Sequence, residues 1–250
     1  MLGISSSLSS KKHVKKHVNT SLTCVAASSD KIEVANHADF RVNSTHFSAC
    51  FWVKITADAE STSNKDGYIG IQAGAFRGNG FYFWYDDAAG DSEKIKFITN
   101  TGSASNNIAS GDIDHDVWHH VAATFNTSVN VASLFIDGIL AQAGVMVDPT
   151  DYTGTVYIGN SDVSSNHVDC ITSEVAFWNG RLLTTDQIEE IYSERPDLEL
   201  YHPIPTCYWR LDENSATGTD GVIESIQGLH GTSTNLADTD FDTADTPTGV

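Results

Sequence analysis

The chain has 250 residues, 40% of them hydrophobic, and carries 33 acidic against 14 basic side chains for a formal charge of −19. That length is ample for one large hydrophobic core and requires no linker. Such acidity would repel a phosphate backbone and weighs against a nucleic-acid-binding body; no apolar run approaches the roughly 18 to 20 residues that cross a bilayer, so no membrane insertion is expected.

The charge is unevenly spread. Lys11, Lys12, Lys15 and Lys16 crowd one short stretch, whereas the segment from Asp212 to the end holds eight acids and neither Lys nor Arg. Residues 1–10 lack the apolar block of a signal peptide, and the lysines follow them rather than precede them, which argues against Sec-dependent secretion. Residues 1–20 offer no packable face and are expected to form an arm. It is either a solvated tail or a basic strap that docks on the acidic surface of a neighbouring subunit. Cys24, Cys50, Cys170 and Cys207 contain no Cys-x-x-Cys pair and are expected to be buried thiols.

Strand composition begins at Leu22 to Val25 and continues through Lys31 to Val34 and Phe47 to Lys54, with turn residues between. Further short runs at Tyr68 to Gln72, Gly80 to Tyr85, Lys94 to Thr99 and Thr155 to Gly159 are bounded by Gly, Asn, Asp or Ser. Many short strands at roughly even spacing indicate a sandwich or barrel rather than alternating strands and helices. From Trp118 to Asn126 two sets alternate, Trp118, His120, Ala122 and Thr124 against His119, Val121, Ala123 and Phe125. After a polar turn, Val131 to Ile136 repeats the pattern, and Asp137-Gly138 suits the positive φ angles of a tight hairpin. One helix is predicted at 183–192, with Thr184 as N-cap, Gln187 completing a capping box, and Leu183 with Ile188 as a hydrophobic staple. Pro196 closes it.

The residues Trp118-His-His-Val-Ala122 and Leu134-Phe-Ile-Asp-Gly138 closely resemble the central hairpin of the concanavalin A-like, laminin G-like (LamG) jelly rolls. So do Asp30 to Phe40 followed by the Trp52 strand, Val156 to Asn160, and Ile171 to Asn179, although Cys170 stands where that family usually has glycine. The resemblance spans about residues 22 to 232. It implies an all-β fold: a two-sheet antiparallel jelly-roll sandwich with one short helix. Cys207-Tyr-Trp-Arg-Leu-Asp-Glu213 and Gly228 to Thr232 resemble the strand that normally opens such a domain, yet they follow the helix. A second domain cannot be built from under fifty residues, so the chain is expected to return and supply a missing strand. The expected layout is an arm at 1–20, a sandwich at 21–236 closed by the strand near 207–212, and an acidic tail at 237–250. This layout is similar to that of structural proteins of marine bacteriophages.

Chemistry is sparse. Asp112-Ile-Asp-His-Asp116 alternates carboxylates as a glycosidase would, but it lies in a turn and lacks the longer Glu side chains of such enzymes. Relatives of the LamG and pentraxin type hold calcium with Asp and Asn oxygens in rim loops, and that resemblance makes Asp86, Asp87 and Asp91 one candidate set and Asn160, Asp162 and Asn166 another. Hairpin turns rich in Asp and Asn explain both equally well. In Phe81-Tyr-Phe-Trp-Tyr85 one ring set must fill the core. Tyr82 and Trp84 are then either a sugar-stacking face or subunit packing. His119 and His120 point to opposite sides of a strand and cannot chelate one ion.

The expectation is therefore a non-enzymatic binding or structural module. The first choice is a bacteriophage virion protein that packs with identical subunits or other virion proteins and contacts host glycans. The alternative is a stand-alone carbohydrate-binding or adhesion lectin, and the third a divergent glycoside hydrolase.

Overall fold

The computed structural model describes residues 21–43, 45–56, 67–74, 78–87, 93–160, 167–211, 226–242 and 244–247. The strands are β1 (Ser21–Cys24), β2 (Lys31–Val34), β3 (Phe47–Ile55), β4 (Gly67–Gly74), β5 (Asn79–Asp86), β6 (Lys94–Thr101), β7 (Ser105–Asp112), β8 (His119–Asn126), β9 (Val131–Ile136), β10 (Ile139–Val145), β11 (Val156–Gly159), β12 (Cys170–Asn179), β13 (Cys207–Trp209), β14 (Gly231–Thr234) and β15 (Phe241–Asp242). A single α-helix among the described residues, α1, covers Thr185–Glu194. The first sheet runs β10-β9-β8-β3-β12-β1-β15, with β13 also paired to β12, and the second runs β14-β2-β11-β4-β5-β6-β7.

The alternation of apolar residues decides what lies between the sheets. Phe47 and Phe51 of β3 meet Phe81 and Phe83 of β5, with ring centroids 4.7 Å and 4.9 Å apart, so aromatic pairs from facing layers interlock. Val121, Ala123 and Phe125 enter this same core. Their alternates point outward on the first sheet, where Cys50, Ala122, Ala176 and Trp178 pack against Leu183, Ile188 and Ile191 of α1 and its approach. The first sheet is thus apolar on both faces. That accounts for the near-continuous burial of β3, β8 and β12.

Local signals set the connections. The Thr184 hydroxyl accepts from the Gln187 N–H at 3.2 Å while the Gln187 side chain accepts from the Thr184 N–H at 3.0 Å, the reciprocal capping box. The helix ends with Arg195 in the left-handed region at φ 45°, its N–H donating to Ile191 O. Asp137 and Gly138 adopt φ 51° and 76°, as the β9–β10 hairpin needs. All four cysteines are buried thiols.

The C-terminal segment serves both sheets. β13 pairs with β12 on the side away from β3, in register Val175 with Trp209 and Phe177 with Cys207. β14 then adds an edge to the second sheet through β2. Phe241 pairs with Leu22 and buries its ring in the core, so the chain beyond residue 236 is more than a surface coating. Asp245 follows, pairing with the Lys54 ammonium and accepting from the Trp118 indole N–H at 3.1 Å.

Candidate functional site

The second sheet turns Tyr82 and Trp84 away from the core, because Phe81, Phe83 and Tyr85 take the inward positions of β5. Tyr68 from β4 stands beside them. Its ring lies edge-on to Tyr82 and to Trp84, both at 5.0 Å, and the two candidate rings are 3% and 9% exposed. They form a packed aromatic cluster with Ile98. Stacking a sugar on either ring would require first uncovering it.

The acidic loop after β5 has its first carboxylate occupied. Asp86 forms an ion pair with Lys96 of the adjacent strand, Asp87 is half-buried, and Asp91 lies outside the described residues. Of the second set, Asn160 is buried with its Oδ1 accepting from the Val168 N–H at 2.9 Å, while Asp162 and Asn166 lie outside the described residues. Among the described residues no three His, Cys, Asp or Glu side chains converge on a point where a metal could sit. A calcium ion at the β5 loop would have to displace Lys96.

Asp112, the last residue of β7, and Asp114 and Asp116, between β7 and β8, are all exposed. A glycosidase acid needs an apolar surrounding that keeps it protonated, and none of the three has one. The neighbouring histidine serves the fold. His119 Nδ1 meets Asp137 Oδ2 at 2.8 Å, Asp137 Oδ1 accepts from the His120 N–H at 2.8 Å, and His119 Nε2 reaches Asp114 O at 3.2 Å. Burial disfavours the His119 cation, but the hydrogen bond and charge of Asp137 outweigh it and raise the imidazole pKa. The pair clamps the β9–β10 turn to the start of β8.

The residue that sequence reasoning passed over is Asn100. It is the penultimate residue of β6, opposite Ser105, its partner on β7, and helps to line a cavity of about 360 Å³ together with Gly102, Ser103, Ala104 and Ser105. Its side chain is 1% exposed, yet neither Nδ2 nor Oδ1 has a hydrogen-bond partner. The hydroxyl of Thr150, whose N–H donates to Asn100 O at 3.2 Å, is likewise buried without a partner. A buried polar group in this state beside a cavity is a place where a partner can be supplied by a ligand. Within Ile-Thr-Asn-Thr-Gly an asparagine before a glycine turn looks like ordinary turn chemistry, so no sequence signal separated it.

The family comparison follows from this two-sheet architecture. The Concanavalin A-like lectin/glucanases superfamily matches residues 26–189. The chain belongs to that superfamily. Among solved structures, a protein of Bacteroides ovatus described as carbohydrate-binding superposes with a TM-score of 0.63 at 14% identity, over 86% of this chain and 58% of its own. The heptameric SAP-like pentraxin of Limulus polyphemus gives a TM-score of 0.52 at 14% identity, over 72% of this chain and 85% of its own. At such identities these neighbours of a concanavalin A-like chain establish the fold alone, and this chain spans little more than half of the Bacteroides protein. No curated protein sequence matches significantly. No helix among the described residues is long and apolar enough to cross a membrane.

Proposed function

We propose that this concanavalin A-like chain is a non-catalytic, lectin-type binding module. The observation that carries the reading is the buried, unpartnered carboxamide of Asn100 at a cavity on the rim of the sandwich. A binding protein can afford such a group because its partner arrives with the ligand. The description of the Bacteroides neighbour as carbohydrate-binding supports glycans as the ligand class. The exposed setting of Asp112, Asp114 and Asp116 supports binding without turnover. The test is a glycan array probed with the full chain, run beside a reducing-end assay on β-glucans. Binding without release of reducing ends is expected; turnover that disappears in Asp114→Asn would revive the hydrolase.

A second observation favours an assembled setting such as a virion. The edge strand β10 leaves Ile139 73% and Val145 77% exposed, with Leu140 between them, and aliphatic side chains on an unpaired edge suit contact with another subunit. Light scattering on the purified chain is expected to give a mass well above the 27.0 kDa of one copy. A strict monomer at micromolar concentration would leave the module free-standing.

A further inference from the structure

We infer that the cavity at the β6–β7 turn is a calcium-independent site for a neutral polyhydroxylated ligand, a sugar ring that presents adjacent hydroxyls to Asn100 and Thr150. This rests on the lectin-type reading and adds what kind of glycan is bound and by which groups.

The unmet atoms define the ligand. Asn100 Nδ2, Asn100 Oδ1 and Thr150 Oγ1 are all buried and unpartnered, and the Thr150 N–H to Asn100 O bond of 3.2 Å holds the two residues side by side. Several groups around them have partners. The Thr99 hydroxyl donates to Val147 O at 2.8 Å, the Gly102 N–H to Gly78 O at 2.9 Å, and Asn79 Nδ2 to Asp151 O at 3.3 Å. The unmet atoms of these two adjoining residues, one of them at the cavity, are groups that a guest would satisfy. A carboxamide carries two donor hydrogens next to an acceptor, and the Thr150 hydroxyl can play either part. Neighbouring sugar hydroxyls offer the same mixture in return, whereas a carboxylate or sulfate offers acceptors alone.

Charge and shape narrow the choice further. Among the described residues the cavity is lined by Asn100, Gly102, Ser103, Ala104 and Ser105, none of them a cation that could neutralise an anionic glycan. The −19 of the whole chain repels one. Small residues in the turn leave room for a ring, and the terminal torsion of asparagine is broad enough for the carboxamide to swing toward the cavity as a ligand enters. Since the hydrogen-bonding groups are an amide and a hydroxyl, recognition there needs no bridging ion.

Calorimetric titration of the full chain tests this with neutral gluco-, galacto- and manno-oligosaccharides, against oligogalacturonate and sialyllactose as anionic probes, each in calcium and in EDTA. Expected are binding of at least one neutral series with affinity unchanged by chelator, and loss of about tenfold or more in Asn100→Ala and in Thr150→Val, each of which removes a hydrogen-bonding group. Thermal melting of the ligand-free variants should equal or exceed that of the parent, because each substitution deletes a buried group that has no partner. A merely structural role would instead lower it. Affinity lost in EDTA, preference for the anionic probes, or full affinity in both variants would overturn the inference while leaving a lectin with its site elsewhere. Failure to bind any glycan in the array as well would remove the lectin reading itself.

Discussion

Replacing Trp209 with alanine is expected to lower the free energy of unfolding by about 3 to 5 kcal/mol, the range for removing a fully buried Trp or Phe side chain. Trp209 has no exposed surface, its ring stacks on Phe40 at 6.0 Å, and its indole N–H donates to Leu229 O at 3.2 Å. It sits in β13, where a three-residue strand fills the place along β12 that continues from β1. The substitution therefore opens a cavity between Phe40 and the core and also strips an acceptor of its donor. Urea denaturation measures the loss. A change below about 1 kcal/mol, the scale of an ordinary surface or minor substitution, would mean that the returning segment contributes little to the common core.

His120 should make the protein acid-sensitive. Its ring is 1% exposed, lies 5.2 Å from the Trp52 ring and 6.2 Å from that of Tyr192, and has no hydrogen-bond partner at either nitrogen. Burial, outweighing the attraction of Asp137 and assisted by the nearby Arg195 cation, pushes its pKa down to about 4 from the ordinary 6.5. Because the folded value is the lower one, the unfolded chain binds the proton first as pH falls. The neutral ring's contribution is complete above about pH 6.5, declines through the window down to about pH 4, and levels off below it. The full drop is about 3 kcal/mol at about 1.4 kcal/mol per pKa unit. His120→Phe isolates it: whatever strain the larger ring introduces, the stability difference between variant and parent should shift by about that amount in the variant's favour from pH 7 to pH 4. A difference that stays flat across the same range would show that His120 is not held neutral. His119 acts in the opposite sense. Its raised pKa gives a contribution complete below about pH 6.5 and lost as pH climbs through the folded value.

Much of the frame could be read from particular residues. The β8–β9 hairpin, the Asp137-Gly138 turn and the capping box at Thr184 and Gln187 stand where alternation and turn chemistry put them, since each depends on side chains within a few residues of one another. Strands such as β7 and β10 gave no such signal. β7 reads Ser-Asn-Asn-Ile-Ala-Ser-Gly-Asp and places Ile108 in the core, while β10 is largely exposed. Edge strands have little apolar surface to bury, so their pattern is faint. The Gln142 side chain, accepting from the Ala109 N–H at 2.7 Å, ties the two edge strands together at one point and leaves β10 largely exposed.

The candidate site was less legible, for a physical reason. Tyr82 and Trp84 announced themselves by composition, but whether such rings stand open or packed depends on Tyr68 and Ile98, which come from other strands. The significance of Asn100 lies in partners it lacks, and a missing hydrogen bond is a property of three-dimensional surroundings rather than of any stretch of chain. By itself the order of amino acids determined the strand-rich class, the helix and its cap, and the acidic charge, all of which follow from local periodicity and composition; the two-layer arrangement came from the family resemblance. Only tertiary structure decided that the C-terminal strands complete both sheets and that a neutral polar pair stands unsatisfied beside a cavity, because burial and pairing between distant segments arise only when the layers close.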